Sequence, residues 1–513
     1  MSLKRNAALW ILWLGLTLAG GGALAAIVYV GGERDLFLIG DTTGAHHQIE
    51  VACDACHTSE TFADAETIQK DMNKACLSCH ADELDVANDS HPVKKFRDPR
   101  NFRRREALDA LYCTTCHAEH VPEETRVGAV TLPMDYCMAC HQDVFENRPS
   151  HQGSDFTTCA SAGCHNFHDN VALYEDFLVK HADMPDFAAH PVIGFSARSR
   201  ATPVADALAS DDARARMIAY LKTLGEDDDD AAEEADERLA AVLTADDALA
   251  PAPYLTAGAV AEWAGSKHAL GGVNCAGCHA PEAAADDFAA IEAEWIAEPG
   301  MDTCVSCHKR EVGSFREGKH GMRFHPELPD PREAPENTLL AALTAMFRDA
   351  PLGPMPVAEA RLPMKPDAMD RAAGTCTACH APHESNLAFA AVEACASCHD
   401  DDHTRAYFTS PHFSLWEAEM AGTGAPGSGV SCGDCHMPKV ELRRGNFFVT
   451  HNQNAYLRPN EKMIRPVCLS CHGLGFAIDA LADPELVENN FNGRPSAHVP
   501  SIDWAVSRTQ RRQ

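Results

Sequence analysis

The sequence predicts a mainly α-helical chain with long loops and little regular sheet. Its core is expected to form largely around covalently held groups rather than around side chains. Three observations predict this. All 22 cysteines among the 513 residues fall in one repeated pattern, Cys-x-x-Cys-His or a stretched form of it. The 27 histidines far exceed the number the repeats themselves use. Runs of alternating β-branched and aromatic residues, the mark of strands, are scarce throughout.

The repeat comes first because it absorbs every cysteine. Ten copies have the short form. In the first half they are Cys53 and Cys56 with His57, Cys76 and Cys79 with His80, Cys113 and Cys116 with His117, and Cys137 and Cys140 with His141. In the second half the first three are Cys275 and Cys278 with His279, Cys304 and Cys307 with His308, and Cys376 and Cys379 with His380. Cys395 and Cys398 with His399, Cys432 and Cys435 with His436, and Cys468 and Cys471 with His472 complete the set. The eleventh, Cys159-Ala-Ser-Ala-Gly-Cys164-His165, has four residues between its thiols. A single copy is compatible with a disulfide, a zinc site or a redox dithiol. Eleven copies with no cysteine left over point instead to c-type haem. The two thiols form thioethers to the porphyrin and the adjacent histidine ligates the iron from one face. The expected complement is 11 covalently attached c-type haems, which would make the chain a multihaem cytochrome c.

The eleven motif histidines leave 16 others, enough to close the opposite face of every iron. His120, His168 and His383 each follow a motif histidine by three residues, so one short turn can serve two neighbouring haems. His268, His320 and His412 stand in Ser-Lys-His, Gly-Lys-His and Ser-Pro-His contexts. The expected distal ligands are His46 (or its neighbour His47), His91, His120, His151 and His168 in the first half. In the second they are His268, His320, His383, His403, His412 and His451. His190, His325 and His498 fit ordinary surface or helix-end roles better. So large a supply of imidazole favours low-potential bis-histidine haems over histidine/methionine ones.

Haem is attached to c-type cytochromes outside the bacterial cytoplasmic membrane, so the folded part is expected in the periplasm. The N-terminus agrees. Lys4 and Arg5 precede an apolar run from Ala7 to Val30. About 20 such residues span a bilayer, and a basic flank stays inside. Ala23-Leu24-Ala25 offers a competing signal-peptide cut, but the run continues through Ile27–Val30, so a retained anchor is expected. The formal net charge of −32 excludes nucleic acid as a partner. It favours encounter with a basic patch on a redox partner, either a quinol-linked membrane donor or a periplasmic redox protein.

Four segments follow from motif density. Residues 1–45 form the anchor, or signal, and a linker. Residues 46–195 form a pentahaem domain. Residues 196–255, Ala-rich and acidic without Cys or His, form a linker with helices expected at Arg214–Leu224 and Ala231–Leu243. Residues 256–513 form a hexahaem domain, with a Pro-rich insert at 326–370 carrying a short helix at 339–347, and a further helix at Ala477–Leu486.

The second half resembles the hydroxylamine oxidoreductase family of multihaem cytochromes. The resemblance rests on Cys376-x-x-Cys379-His380-Ala-Pro-His383, Cys395-x-x-Cys398-His399 with Asp402-His403, Ser410-Pro411-His412, Cys432-Gly-Asp-Cys435-His436-Met-Pro and Thr450-His451. It implies an open catalytic iron at the Cys376/Cys379 haem, with His380 proximal and Asp402 and His412 lining the pocket. His412 would relay protons and Asp402 would orient it. The family's oxidising members cross-link a tyrosine to the catalytic porphyrin. No tyrosine of this chain matches that position (Tyr456 is the nearest candidate), and a missing cross-link would favour reduction of a nitrogen or sulfur oxide. No Cys-x-x-Cys-Lys motif of the nitrite reductase kind is present. The first half is similar in style to class III multihaem cytochromes, which are carriers. Two functions follow: an electron carrier in respiration with every iron closed, or an oxidoreductase whose remaining haems supply one open iron.

Overall fold

The computed structural model describes residues 2–29, 39–126 except 51 and 61, 129–155 except 134, 163–188 except 170–172, 242–328, and 357–511 except 371–375, 385, 442–446 and 458–460. Cys159, His190, the acidic run 226–237, the helices expected at 214–224 and 339–347, and nearly all of that expected at 231–243 lie outside them. The described residues form short helices joined by turns and loops. The strands among them are β1 (Lys439–Glu441) and β2 (Phe447–Val449), an antiparallel pair with Lys439 opposite Val449. The mainly α, loop-rich fold is the one the sequence predicts.

The chain divides into two compact units. The first comprises Met1–Asn147, His165–Val171 and Gly321–Met355. It contains α1 (Ser2–Tyr29), α2 (Ala65–Ala87), α3 (Val93–Arg97) and α4 (Phe102–Ala107). Asp64 starts α2 by accepting from the backbone N–H groups of Glu66 and Thr67. Asn88 ends it in the left-handed conformation at φ 53°. The Cys76/Cys79/His80 motif lies within α2. Among the described residues of this unit, Phe96 is the only buried hydrophobic side chain. Apolar side chains alone therefore build almost no core here.

In α1 the described side chains are those of residues 9–23. Their large apolar members, including Trp10 at 67% and Ile11 at 72%, are exposed. Among the described residues no helix is long and apolar enough to cross a membrane.

The second unit comprises Arg148–Cys164, Ala172–His320 and Pro356–Gln513. Its main core is made by α5 (Glu175–His181) with α9 (Leu474–Ala482), α10 (Pro484–Glu488) and α11 (Pro500–Gln510), α6 to α8 lying between them in sequence. Those three are α6 (Ala257–Ala264), α7 (Lys309–Glu317) and α8 (Pro411–Met420). Ile464, Leu474 and Ile478 are fully enclosed in this core. The single helix expected at Ala477–Leu486 is two. Pro484 lacks the N–H and the φ freedom to continue α9. Asp483 stops the chain and caps α10, accepting from Leu486 N–H at 3.1 Å. A second core cluster joins Val392, Tyr407 and Trp416, where the Tyr407 hydroxyl donates to the Val430 carbonyl at 2.8 Å.

The two units cut across the sequence-based segments. Pro149–His151 and α5, assigned by motif spacing to the pentahaem segment, pack on α11. Thr509 Oγ1 donates to the Val179 carbonyl at 3.0 Å. Motif spacing counts cysteines along the chain and carries no signal of that packing.

Candidate haem centres

Each of the ten short motifs is one helical turn. The histidine N–H donates to the carbonyl of the first cysteine, at 2.9 Å for His57 to Cys53, 2.8 Å for His308 to Cys304 and 2.9 Å for His380 to Cys376. In several motifs the second cysteine's N–H shares that carbonyl, at 3.2 Å for Cys140 to Cys137, 3.3 Å for Cys307 to Cys304 and 3.1 Å for Cys471 to Cys468. These bonds set the two sulfurs and the imidazole on one side of a short loop. The described cysteines are free thiols, so no disulfide competes for them. The Cys307 thiol is exposed, while Cys140 and Cys471 are half-buried. Ser306 and Ser470 donate their hydroxyls to the sulfurs of Cys307 and Cys471, each at 3.7 Å.

The spare histidines are placed by equally local devices. Ser266 and Ser410 are N-caps that accept from Ala269 and Phe413, which puts His268 and His412 on the first turn of a helix. The Ser-x-His contexts in the sequence are therefore helix starts.

Among the described residues ten pairs of imidazole rings face one another. In the first unit His46 faces His80 at 6.0 Å between centroids, His57 faces His120 at 6.5 Å, His91 faces His141 at 6.2 Å, and His117 faces His168 at 6.4 Å. In the second unit His268 faces His308 at 6.2 Å, His279 faces His383 at 6.1 Å and His320 faces His399 at 6.0 Å. There too His380 faces His451 at 6.0 Å, His403 faces His436 at 6.3 Å and His412 faces His472 at 6.2 Å. Every pair joins one motif histidine to one spare histidine. Two metal–imidazole bonds of about 2 Å, plus about 1 Å from each ring nitrogen to its centroid, also sum to roughly 6 Å. The residues present therefore fit a haem iron between each pair.

Nδ1 hydrogen bonds to backbone carbonyls orient several of these rings. The Nδ1 of His91 donates to the Phe167 carbonyl (2.6 Å), that of His120 to Gly40 (2.8 Å) and that of His117 to Ala129 (3.0 Å). His279 donates to Ile296 (2.6 Å), His403 to Val487 (2.8 Å), His451 to Val449 (2.9 Å) and His268 to Pro382 (3.1 Å). A fixed Nδ1–H leaves Nε2 as the coordinating atom. A Cβ at Gly40 would meet the His120 carbonyl at 2.9 Å, so glycine permits that approach. His120 itself sits at φ 64°. The left-handed residue His120 thus closes the His117–His120 stretch, whose two rings face two different partners. At His403 the Asn490 side-chain nitrogen also lies 3.2 Å from Nε2, so ligation there requires the amide to yield that atom.

Two distal rings are held by carboxylates instead. His46 Nδ1 donates to Glu119 Oε1 at 2.6 Å, and Glu119 also accepts from the Thr43 N–H and hydroxyl. His168 Nδ1 lies 3.3 Å from Asp89 Oδ1. Burial pushes the Glu119 carboxyl up, but its bonds to His46 and Thr43 outweigh that and hold it below the usual range. Burial, then the neighbouring histidine, pushes His412 down to about 4, and His320 and His436 fall to about 4 for the same first reason. These rings stay neutral, the form in which imidazole binds a metal.

The cysteines link the motifs in sequence order. In the first unit Cys56 interacts with Cys79, Cys76 bonds to Cys113, and Cys116 interacts with Cys137. In the second, Cys278 interacts with Cys304, Cys304 bonds to Cys376, and Cys379 interacts with Cys395. Cys395 then bonds to Cys432, and Cys435 interacts with Cys468. Consecutive motifs are neighbours in space within each unit. Cys140 and Cys471 stand outside this linkage, so the sequence-based expectation of a haem thioether at each rests on its own motif turn.

Ten of the eleven expected distal histidines belong to these pairs, with His46 rather than His47 in place. The other, His151, has Nδ1 3.0 Å from Ser150 Oγ, which donates to Glu175. The structure does not bring together the residues that the hydroxylamine oxidoreductase resemblance would gather at one pocket. His380 faces His451, and His412 faces His472 in another pair. Asp402 forms an ion pair with Arg405 and its side chain is 79% exposed. The order of motifs carried that expectation, but it does not say which of several spare histidines folds back onto which motif. Glu119, Asp89 and Phe167 were not singled out from the sequence. Only the place of Glu119 between His117 and His120 hinted at a role.

The cytochrome c3 family model matches residues 45–142, and the doubled CXXCH motif model matches residues 369–404. The first span holds four motifs and the second holds two. No curated protein and no solved structure shows a significant match. The chain is a multihaem c-type cytochrome, binding haem covalently and transferring electrons. The resemblance to the hydroxylamine oxidoreductase family is not among these matches.

Proposed function

We propose that the chain is a periplasmic electron conductor carrying 11 haems, held at the membrane by α1, in a respiratory pathway. The observation that carries this reading is the set of ten facing histidine pairs, each made of one motif and one spare ring. Bound haem would supply a one-electron iron couple at each pair. The chain's part is to hold both axial positions with neutral imidazole. Two such ligands leave an iron no vacant position for substrate, which favours conduction over catalysis. Its second part is spacing: neighbouring motifs share cysteine contacts, so successive centres sit close together within each unit. The exposed apolar side chains of α1 support attachment to the membrane, with a quinol-linked donor or a periplasmic redox protein as partner.

Electron paramagnetic resonance of the oxidised, fully loaded protein tests the reading. Low-spin signals alone are expected, with 11 haems by intact mass. A stoichiometric high-spin signal would overturn it in favour of a catalytic iron.

A further inference from the structure

The second unit holds a cleft of about 290 Å³ against the start of α9. Met184 and Ile502 give it apolar walls and Phe476 an aromatic one, while Asp186, Asp479 and Arg494 supply its polar groups. Gly473 lets the Met184–Pro185 backbone close on this end of α9, since a Cβ there would collide with the Pro185 carbonyl.

Two features suit the cleft to redox chemistry. The first is its aromatic wall. Phe476 stacks on His472 at 4.9 Å with the planes 13° apart, and Phe187 lies 5.2 Å from Phe476 and 5.1 Å from His472. His472 is the motif ring that faces His412. A molecule in the cleft is therefore one aromatic ring away from an axial imidazole, and electron tunnelling favours so short a path. The second feature is a proton path. His498 Nδ1 donates to Asp479 Oδ2 at 2.9 Å, and His498 Nε2 donates to Asp503 at 3.1 Å. The Asp479 side chain is 16% exposed and that of Asp503 78%, so the row runs from the cleft to solvent. The Asp479 bond chiefly makes His498 hold its proton to higher pH than an ordinary imidazole. At the cleft mouth Arg494 pairs with Asp186 at 3.3 Å, which uses only part of its five-donor fork.

We propose that this cleft binds a one- or two-ring quinone and reduces it to the quinol with electrons from the His412/His472 centre. Small-molecule sites start at roughly 300 Å³, so the cleft matches a planar group of that size. Arg494 bonds one quinone oxygen and stabilises the negative charge that develops there as an electron arrives. Two electrons cross Phe476 one at a time, and two irons of the chain pass from ferrous to ferric. One proton reaches the other oxygen from Asp479 and is replaced from His498, which regains its own from solvent. The second proton comes from water at the mouth beside Arg494. Both C=O bonds become C–O–H and the ring becomes aromatic. Haems held by two imidazoles have low potentials, so the electrons run downhill to the quinone and a periplasmic redox protein is the donor. The inference rests on the ligation reading above for that one centre.

The test is stopped-flow reoxidation of the loaded full-length protein, reduced with dithionite, freed of excess and mixed with menadione, a two-ring quinone. The rate should saturate with menadione. Asp479→Asn should lower the plateau at least tenfold, because the amide cannot pass the proton although its oxygen still accepts from the Val499 N–H, now at 2.8 Å. Arg494→Met should raise the half-saturating concentration at least fivefold. Oxidation by ferricyanide, which takes up no proton, should keep the wild-type rate in both variants, and the low-spin spectrum should be unchanged. A rate that rises linearly with menadione, or one equal in wild type and both variants, marks reaction at exposed haem edges and overturns the cleft. If Asp479→Asn slows ferricyanide as much as menadione, the residue only supports packing and the proposal fails. A stoichiometric high-spin haem in the wild type would instead overturn the ligation reading.

Discussion

Glu119 illustrates what a single residue does in this protein. A carboxylate that accepts the Nδ1–H of an axial imidazole makes that imidazole a stronger donor and favours the ferric state. His80, across from His46, has Glu83 Oε2 3.3 Å from its own Nδ1, so both rings of this pair carry carboxylates. Most other oriented rings donate to backbone carbonyls. The Cys76/Cys79 haem is therefore expected at the low end of the potentials. Glu119→Gln should raise one wave in a spectroelectrochemical titration by on the order of tenfold in equilibrium constant, ~59 mV for one electron. A titration superimposable on wild type would remove the carboxylate from the potential. His451 invites a second measurement. His451→Ala should convert one low-spin haem to high spin, because that ring faces His380. A spectrum without new high-spin signal would take His451 off the iron.

At the scale of elements, α9 and α11 carry the packing that the second unit possesses in ordinary form. Ile478 is fully enclosed on α9, and Ile478→Ala should cost about 2–5 kcal/mol by lost transfer energy and cavity formation. Thermal unfolding followed by far-ultraviolet circular dichroism would read that loss. The start of α11 has a pH dependence. His498 bonds to Asp479 at 2.9 Å and to Asp503 at 3.1 Å, and the Asp479 bond chiefly raises its pKa. A histidine raised in the folded state contributes stability that is complete below its unfolded value of about 6.5. That contribution fades as pH rises through the folded value. The unfolding midpoint should thus fall between mildly acidic and alkaline pH, and His498→Gln should flatten that part of the curve. A midpoint whose pH dependence is the same in both proteins would remove the ion pair from the explanation.

For the whole molecule, the uneven distribution of apolar core matters most. The second unit has its own buried cluster, whereas Phe96 stands alone among the described residues of the first. Porphyrin must supply what side chains do not. Expressed without haem attachment, the chain should lose protection from limited proteolysis throughout residues 46–147 while fragments containing α9 to α11 persist longer. Equal loss across both units would argue against haem as the first unit's core.

Some of this was legible in residues alone. The cysteine repeat identified haem, the surplus of histidine supplied enough second ligands, and scarce strand patterning gave the helical, loop-rich class. All are local: a motif is five residues read within one turn. The Ser-x-His contexts were visible too, but only the structure shows Ser266 and Ser410 as helix caps. Pairing was not, because which spare ring meets which motif depends on chain segments far apart, such as His57 with His120 or His279 with His383. The resemblance in motif order implied His412 beside the Cys376/Cys379 motif, whereas in the fold the ring facing His380 is that of His451. The break at Asp483–Pro484 was written in the sequence and outweighed by a continuous apolar pattern. The sequence by itself determined the chemistry the protein carries, since thioether and imidazole ligands are properties of residue types at short spacing. Only the tertiary structure decided which faces each iron presents, because that is set by loop closure and by packing between residues distant in the chain.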